Sequence, residues 1–196
     1  MTAVQSAPAI TGYIPGTWAI DTAHSEIGFS VRHLMVSKVK GAFRDFSGTF
    51  VTAENPFDSS VEASVVLSSV DTGNADRDAH LRSADFFDTE QHTLLTYRST
   101  GIRYDDEEGF VVDGELTLRG VTKQVPLQLE IHGFQQATPF GDTRTGFTAT
   151  GEIDRRDFGV SFNMALEGGG VGLGNKVQIT LEIEAVLQPA PAEQAS

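Results

Sequence analysis

The side chains that could do acid–base or metal chemistry in this sequence are few and widely spaced. The five histidines are His24, His33, His80, His92 and His132. They form no His-x-His or His-x-x-x-His pair, and the chain has no cysteine, so the short ligand spacings typical of zinc sites are missing. Ser25, His24 and Asp21 could be written as a hydrolase triad, but no Gly-x-Ser-x-Gly elbow exposes a serine. We therefore predict no catalytic residues and no metal site.

Residues 168–174 are rich in glycine and contain a Gly-x-Gly pattern. A nucleotide-binding glycine loop follows a strand and opens a helix, and a phosphate-binding loop carries Lys followed by Ser or Thr. Neither context is present here. We predict a mobile loop that leads into the last strand and could gate the interior, and we predict no cofactor.

A basic cluster lies on the one long helix that the sequence predicts. Asn74 is a favourable N-cap, and aspartates in the following turn suit the positive end of the helix dipole. Arg77, His80 and Arg82 could meet the polar head of a ligand, or they could brace the helix against the rest of the fold. Asp78 precedes Arg82 by four residues, a spacing at which opposite charges pair on a helix.

Most of the chain alternates apolar and polar side chains with a period of two, which is typical of half-buried strands. The last strand shows the pattern in Val177, Ile179, Leu181 and Ile183. Eight or nine such strands, one of them over residues 121–134, follow mostly as sequential antiparallel pairs, which favours an up-and-down barrel or a sandwich. The step from Phe43 to Phe46 breaks the alternation and predicts a bulge near Asp45. A short helical turn is predicted over residues 155–158.

Composition narrows the class of protein. The 196 residues suit one domain, and 14 basic against 27 acidic residues give a net charge of −13. Such acidity argues against binding to nucleic acid and against docking to anionic lipid by charge. No apolar run is long enough to span a membrane. The first ten residues have neither the basic nor the apolar region of a signal peptide, which predicts a cytoplasmic protein.

Five stretches together resemble the YceI-like family, also called the polyisoprenoid-binding family. They are residues 18–29, 41–50, 71–88, 114–123 and 154–159. The most specific block is Arg-Asp-x-His-Leu-Arg-Ser-x-Asp-Phe-Phe-Asp, which begins at Arg77. The resemblance implies a lipocalin-like antiparallel β-barrel, often dimeric, that holds a long isoprenoid or other lipid chain and has no general catalytic activity.

Together, the pattern and the resemblance predict an all-β fold: an eight-stranded antiparallel lipocalin-like β-barrel with one short helix over the rim. We expect the barrel to span residues 16–187, between flexible tails at 1–15 and 188–196. Of the 17 aromatic residues 13 are Phe, which has no polar group and can line a dry interior. We expect a homodimer that binds, and could carry or store, a polyprenyl or quinone-type lipid.

The predicted ligand contacts fall into two sets. Side chains on the inward strand faces, and one aromatic beyond the helix, should contact the apolar chain: Phe29, Val31, Phe43, Phe50, Val65, Phe86, Val112, Leu116 and Ile131. Basic side chains should orient the polar head: Arg77, His80 and Arg82, with Arg156 as a further candidate.

Two other functions remain open on the sequence. The barrel could be an enzyme that modifies a bound quinone or small lipid, with His80 or His24 as its acid or base. Alternatively, the interior could be completely filled, and the protein would then act through its surface in stress tolerance. A cavity in the interior would distinguish a lipid-binding barrel from a filled one.

Overall fold

The computed structural model describes residues 8–34, 36–164 and 172–189. In these ranges the strands are β1 (Gly16–Ile20), β2 (Glu26–His33), β3 (Ser37–Phe43), β4 (Phe46–Thr52), β5 (Ser60–Val66), β6 (Val70–Asp71), β7 (Leu94–Asp105), β8 (Gly109–Leu118), β9 (Val121–Gln124), β10 (Leu127–Gln135), β11 (Arg144–Asp154) and β12 (Leu173–Leu187). One α-helix, α1 (Ala75–Arg82), and three 3-10 turns, Pro56–Asp58, Leu67–Ser69 and Arg155–Phe158, complete the described elements.

The strands close into an antiparallel barrel. β1 and β2 together occupy one strand position in the barrel wall, and β3 and β4 together occupy the next. With β5, β7, β8, β10, β11 and β12, the described residues form eight wall strands. Each wall strand pairs with the next one in the chain, and β12 returns to pair with both β1 and β2. The predicted eight-stranded antiparallel barrel is confirmed.

The barrel has two ends of different construction. At the tail end lie residues 10–15, 53–59 and 136–143, beside the start of β1 and the end of β12. At the helix end lie the β2–β3 turn, α1 and residues 155–164, beside the start of β12.

Two irregularities in the strands have clear causes. β3 ends at Phe43 and β4 begins at Phe46, with both rings buried, so the interruption lies where the sequence predicts a bulge, but it divides the chain into two strands instead of forming a bulge within one. The single strand predicted over residues 121–134 is wrong: it is divided into β9 and β10. Pro126 lies at the division and has no amide hydrogen to donate to a strand ladder.

The helix is capped as the sequence predicts, but one of its ion pairs is not formed. The Asn74 side chain accepts a hydrogen bond from the Arg77 amide at 2.9 Å. Asp78 and Arg82, four residues apart, have separate partners. Asp78 is buried and accepts from the amide and hydroxyl of Thr72, at 2.9 and 2.6 Å. Because the Asp78 carboxylate is buried against these two donors, it does not pair with Arg82 on the helix surface.

The described part of the predicted N-terminal tail includes residues that pack against the barrel. The Tyr13 ring meets Phe134 edge-on at a centroid distance of 5.4 Å, and its hydroxyl donates to the Ala53 carbonyl at 2.8 Å. The aromatic ring supplies apolar contact area and the hydroxyl finds an acceptor. Residues 1–7 and 190–196 lie outside the described residues.

Candidate functional site

A cavity of about 670 Å³ occupies the barrel interior. Its lining includes Ile10 and Tyr13 at the tail end and His80 and Phe162 at the helix end, so it extends along the barrel. The wall between is formed by inward-facing aliphatic and aromatic side chains from all eight wall strands. The interior is therefore not filled by its Phe residues, and the alternative of a packed, cavity-free barrel is wrong.

Eleven of the twelve predicted contact residues line this cavity: Phe29, Val31, Phe43, Phe50, Val65, Phe86, Val112, Leu116, Ile131, Arg77 and His80. Their role in binding a ligand stays a prediction. The lining also includes residues not predicted as contacts, among them Tyr97, Phe147, Val177, Ile179, Leu181 and Ile183. The four β12 residues in this list could have been predicted from the sequence, because they show the same alternation of apolar and polar residues as the predicted contacts.

Arg82 is the predicted contact that the structure places elsewhere. Its guanidinium donates to the carbonyls of Ser68 and Val70, at 2.7 and 2.9 Å, and it does not line the cavity. Arg156 is also outside the lining and pairs with Asp154 at 2.6 Å. The sequence could not show whether Arg82 contacts a ligand or braces the helix, because its acceptors are backbone carbonyls that precede it by more than ten residues. Arg82 braces α1 against the barrel.

Close contacts between rings and glycines keep the interior open. A Cβ at Gly41 would lie 2.5 Å from the Phe29 ring, and one at Gly114 would lie 2.4 Å from the Tyr97 ring. Glycine at these two positions lets each ring lie against the backbone of the neighbouring strand. Two large rings thus lie along the wall, and the space beyond them remains free.

The polar groups of the wall are already paired within the protein. The Tyr97 hydroxyl lies 3.0 and 3.1 Å from the carbonyls of Val125 and Val112, and burial raises its pKa. Thr145 donates to the Gly133 carbonyl at 2.8 Å, and Thr52 donates to the Ile14 carbonyl at 2.7 Å. No buried side-chain nitrogen or oxygen of the described residues lacks a partner. The wall offers apolar contact and shape rather than hydrogen bonds.

Charged and aromatic side chains surround the helix end. His80 lies between Phe86 and Phe162, with ring centroids 5.0 and 4.9 Å away, and its Nε2 is 2.9 Å from Asp85 Oδ2. Phe86 belongs to the turn that follows α1, so it contributes to this rim from a turn rather than from a strand. Arg77 donates to the Thr72 hydroxyl and carbonyl but remains exposed. A ligand head at this end would meet both charge and aromatic faces.

Arg155 holds the segment after β11 in place. It is buried and lines the cavity, and it donates to the carbonyls of Val160, Phe162 and Gly174 at 2.7 to 2.9 Å. Burial lowers the pKa of the Arg155 guanidinium, and this effect outweighs the opposite effect of the Asp154 carboxylate. The predicted turn at 155–158 is confirmed, but its sequence did not indicate this bracing role.

A second cluster of titratable groups lies outside the cavity. His24 Nδ1 is 2.9 Å from Asp21 Oδ2, and this hydrogen bond is the main reason that the pKa of Asp21 is lowered. Glu184 lies close enough to share a cation with them, but Arg144 already donates to both carboxylates. The Ser25 hydroxyl bonds to the Glu184 backbone rather than to His24. These contacts form an ion-pair network, and neither the Ser–His–Asp arrangement nor a role for His24 at the cavity is supported.

The described part of the chain contains no helix with the length and apolarity that crossing a bilayer requires. The glycine-rich loop predicted at residues 168–174 lies mostly outside the described residues, and the last strand begins at Leu173.

Comparisons with known proteins agree with this fold. A UPF0312 protein of Staphylococcus epidermidis is 39% identical over 165 residues, which cover 84% of this chain and 94% of that protein. A crystal structure of a Campylobacter jejuni YceI protein is 29% identical, with a TM-score of 0.67, and the match covers 86% of this chain and 96% of that one. A polyisoprenoid binding domain from Saccharophagus degradans shares the fold at 17% identity, with a TM-score of 0.64 over 87% of this chain and 98% of that one.

The family model of the YceI-like domain matches residues 18–185, which form nearly the whole barrel. The matched region includes every wall strand except the ends of β1 and β12, together with α1 and the Arg155 turn. The chain belongs to the YceI-like family.

Proposed function

We propose that this protein binds a long apolar lipid chain, of the isoprenoid type, inside its barrel, and that it carries or stores that lipid. The observation that carries the proposal is the cavity itself: its wall is predominantly apolar, and among the described residues no buried polar side chain lacks a partner. A ligand with polar groups along its length would lose hydrogen bonds to water and gain none. A hydrocarbon chain loses nothing of this kind.

The cavity is large enough to bind such a chain by burial alone. Its volume of about 670 Å³ lies within the ~300–1,000 Å³ typical of small-molecule sites. Each buried methylene contributes about 0.8 kcal/mol in transfer free energy, before the loss of translational and chain entropy on binding. Several isoprene units would therefore bind without any contact to a head group.

The difference between the two ends supports one orientation of the ligand. At the tail end, Tyr13 and Thr52 donate to backbone carbonyls of the protein. At the helix end, Arg77 and His80 line the cavity and remain exposed. A quinone ring or a phosphate would therefore lie at the helix end, with the hydrocarbon chain directed toward the tail end.

Similarity to known proteins supports an isoprenoid ligand, but the proposal does not depend on that similarity. The Saccharophagus degradans domain is described as binding polyisoprenoid, and at 17% identity its likeness to this chain is one of fold. The chemical argument for an isoprenoid is that a flexible, branched hydrocarbon fills an elongated cavity lined by Phe, Val, Ile and Leu side chains.

The test is uptake of an isoprenoid quinone by the purified protein, followed by native mass spectrometry before and after organic extraction. The Ala149→Phe variant adds a ring to a small inward-facing position of β11 and should lower occupancy severalfold. The Thr150→Phe variant adds similar bulk on the exposed face of the same strand and should bind as the wild type does.

A variant with a charge in the wall, Leu116→Asp, gives a second test of the same proposal. A buried carboxylate without a partner should abolish retention of the quinone, provided that circular dichroism shows a folded barrel. Equal occupancy in the wild type, Ala149→Phe and folded Leu116→Asp would show that the lipid binds outside the barrel, and the proposal would then be wrong.

A further inference from the structure

One hairpin of this acidic chain carries basic residues over a stretch that lacks carboxylates. Between Glu26 and Asp45 the sequence has no carboxylate, but it has four of the 14 Lys and Arg residues. These four are Arg32, Lys38, Lys40 and Arg44. Arg44 pairs with Asp71 at 3.0 Å, and the other three form no ion pair with a described carboxylate. The β2–β3 hairpin is thus a positively charged surface on a negatively charged protein.

The register of the hairpin places like charges opposite each other. Arg32 and Lys38 are cross-strand partners, and Lys40 is paired with Ser30 one step further along. All three basic side chains are exposed, and they alternate with Val31 and Val39, which line the cavity, so the charges lie on the outer face. Like charges directly opposite each other on a sheet are destabilising. An external anion would relieve this repulsion.

Exposed apolar side chains lie at the tip of the same hairpin. Leu34 and Val36 are 39% and 82% exposed, and Met164, in a neighbouring segment, is 57% exposed. Gly172 connects the two segments, since its carbonyl accepts from the Leu34 amide at 2.9 Å and its amide donates to the Met164 carbonyl at 3.1 Å. These three residues are half of the large exposed apolar residues in the described part of the chain.

We propose that the helix end docks on a bilayer that contains anionic lipid, with the β2–β3 hairpin as the docking element. Leu34 and Val36 enter the boundary between head groups and acyl chains, and Arg32, Lys38 and Lys40 contact the anionic head groups. Basic residues flanking an apolar surface are the usual composition of such an interfacial anchor. His33 lies between the two groups and lines the cavity, so docking would bring the cavity mouth to the bilayer.

The net charge of −13 does not oppose this docking, because charge acts locally at physiological ionic strength. The Debye length is then about 8 Å, so carboxylates on distant strands are largely screened from a membrane that contacts the hairpin. At the helix end itself, Asp76 is exposed on α1, and Asp85 lies beside His80. An acidic protein is a less suitable occupant than a bilayer, since each partner of a standard interface contributes roughly 20–30 residues, whereas this surface consists of three basic residues and the exposed apolar residues at the hairpin tip.

The experiment is flotation of the full chain with vesicles of pure phosphatidylcholine, and with vesicles of equal parts phosphatidylcholine and phosphatidylglycerol. We expect binding only to the anionic vesicles, with a loss of binding as salt is added. The double variant R32S/K38S should partition about 30-fold less, as expected when two surface cations are removed. The double variant R98S/K123S removes two exposed charges from other strands and should float as the wild type does.

The apolar tip has its own matched pair of variants. Val36→Ser should weaken flotation, whereas Phe140→Ser should not, although Phe140 is 84% exposed, because it lies at the tail end. Absence of wild-type binding to anionic vesicles, equal binding to neutral vesicles, or equal losses in the hairpin variants and their controls would overturn the proposal. If R32S/K38S failed to fold, Val36→Ser and the salt dependence would still decide the question.

Docking goes beyond the proposed lipid binding, and the two can fail separately. The Ala149→Phe variant should float as the wild type does, even if it takes up no quinone, since position 149 lies inside the barrel. Flotation without quinone uptake would support docking alone, and uptake without flotation would overturn docking alone.

Discussion

The two ends of the barrel are built from the same strands, but they satisfy their polar groups in different ways. At the tail end, Trp18 is fully buried, stacks on Phe50 and donates through Nε1 to the Thr52 hydroxyl at 2.8 Å. At the helix end, Arg77 and His80 reach solvent while they line the cavity. The polar groups named at the tail end are thus paired inside the protein, whereas the basic groups at the helix end reach solvent.

This difference indicates a division of roles along the barrel. Buried apolar contacts and internal hydrogen bonds stabilise the fold, whereas exposed ion pairs contribute little free energy and rearrange readily. We therefore expect substitutions at the tail end to lower stability, and those on the rim of the helix end to change the exchange of a ligand. Four predictions test this contrast.

The largest expected effect is at the tail end. Trp18→Ala should lower the free energy of unfolding by about 3–5 kcal/mol, because it opens a large cavity under Phe50 and Phe134 and leaves Thr52 without its donor. Urea denaturation would measure the change. The helix-end counterpart, His80→Ala, should lose less than about 1 kcal/mol. Equal losses in both variants would contradict the contrast between the two ends.

Arg155 is the point at which the helix end also contributes to stability. Arg155→Lys should lower the free energy of unfolding by about 2 kcal/mol, since an ammonium cannot reproduce the planar set of donors that reaches three carbonyls. The matched control is Arg156→Lys, which alters an exposed pair with Asp154 and should change stability by less than about 0.5 kcal/mol. Chemical denaturation of both variants would show whether burial, rather than charge, explains the difference in their effects on stability.

A smaller effect is expected on ligand exchange at the rim. His80→Ala removes a ring packed between Phe86 and Phe162, so a bound quinone should leave a few times faster while the fold keeps its stability. Transfer of a labelled isoprenoid quinone to acceptor vesicles would measure the rate. Tyr13→Phe, at the tail end, should release the quinone at the wild-type rate. A slower rate for Tyr13→Phe than for His80→Ala is the expected order, and the reverse order would show that the ligand leaves through the tail end.

The smallest effect concerns pH. Arg156 lowers the pKa of Asp154 to about 2 in the folded protein, so the ionised carboxylate stabilises the fold above its unfolded pKa of about 3.9. This contribution is lost as the pH falls through about 2. Because the Asp154 side chain is 27% exposed, Asp154→Asn should lose less than about 1 kcal/mol at neutral pH, and less still as acid protonates the wild-type group. A constant gap across this pH range would rule out the ion pair as its cause.

Local patterns in the sequence predicted the fold well. Alternation of apolar residues identified the wall strands, the spacing of Phe43 and Phe46 indicated the break near Asp45, and Asn74 marked the start of α1. Each of these signals arises within a few residues of the chain. The strand division at Pro126 was available in the same way, since proline has no amide hydrogen.

Long-range contacts explain what the sequence did not predict. Arg77, Arg82 and Arg155 lie in equally motif-like stretches, and all three donate to backbone carbonyls, but of the three only Arg77 is left exposed at the rim. A backbone acceptor is present at every residue, so nothing in the sequence marks which carbonyl an arginine will reach. Likewise, the net charge of −13 gave no indication of a basic surface on the β2–β3 hairpin. The strand register shows that Arg32 and Lys38 lie opposite each other there.

The sequence by itself determined the barrel, the inward faces of its strands and the family, because periodicity and motifs are local properties of the chain. The tertiary structure decided that the interior is hollow, since a cavity depends on how rings such as Phe29 and Tyr97 lie against Gly41 and Gly114 on neighbouring strands. It also decided that polar groups such as the Trp18 indole are paired inside the protein, whereas Arg77 and His80 stay exposed. Volume and exposure arise only when distant side chains meet, and no local pattern encodes them.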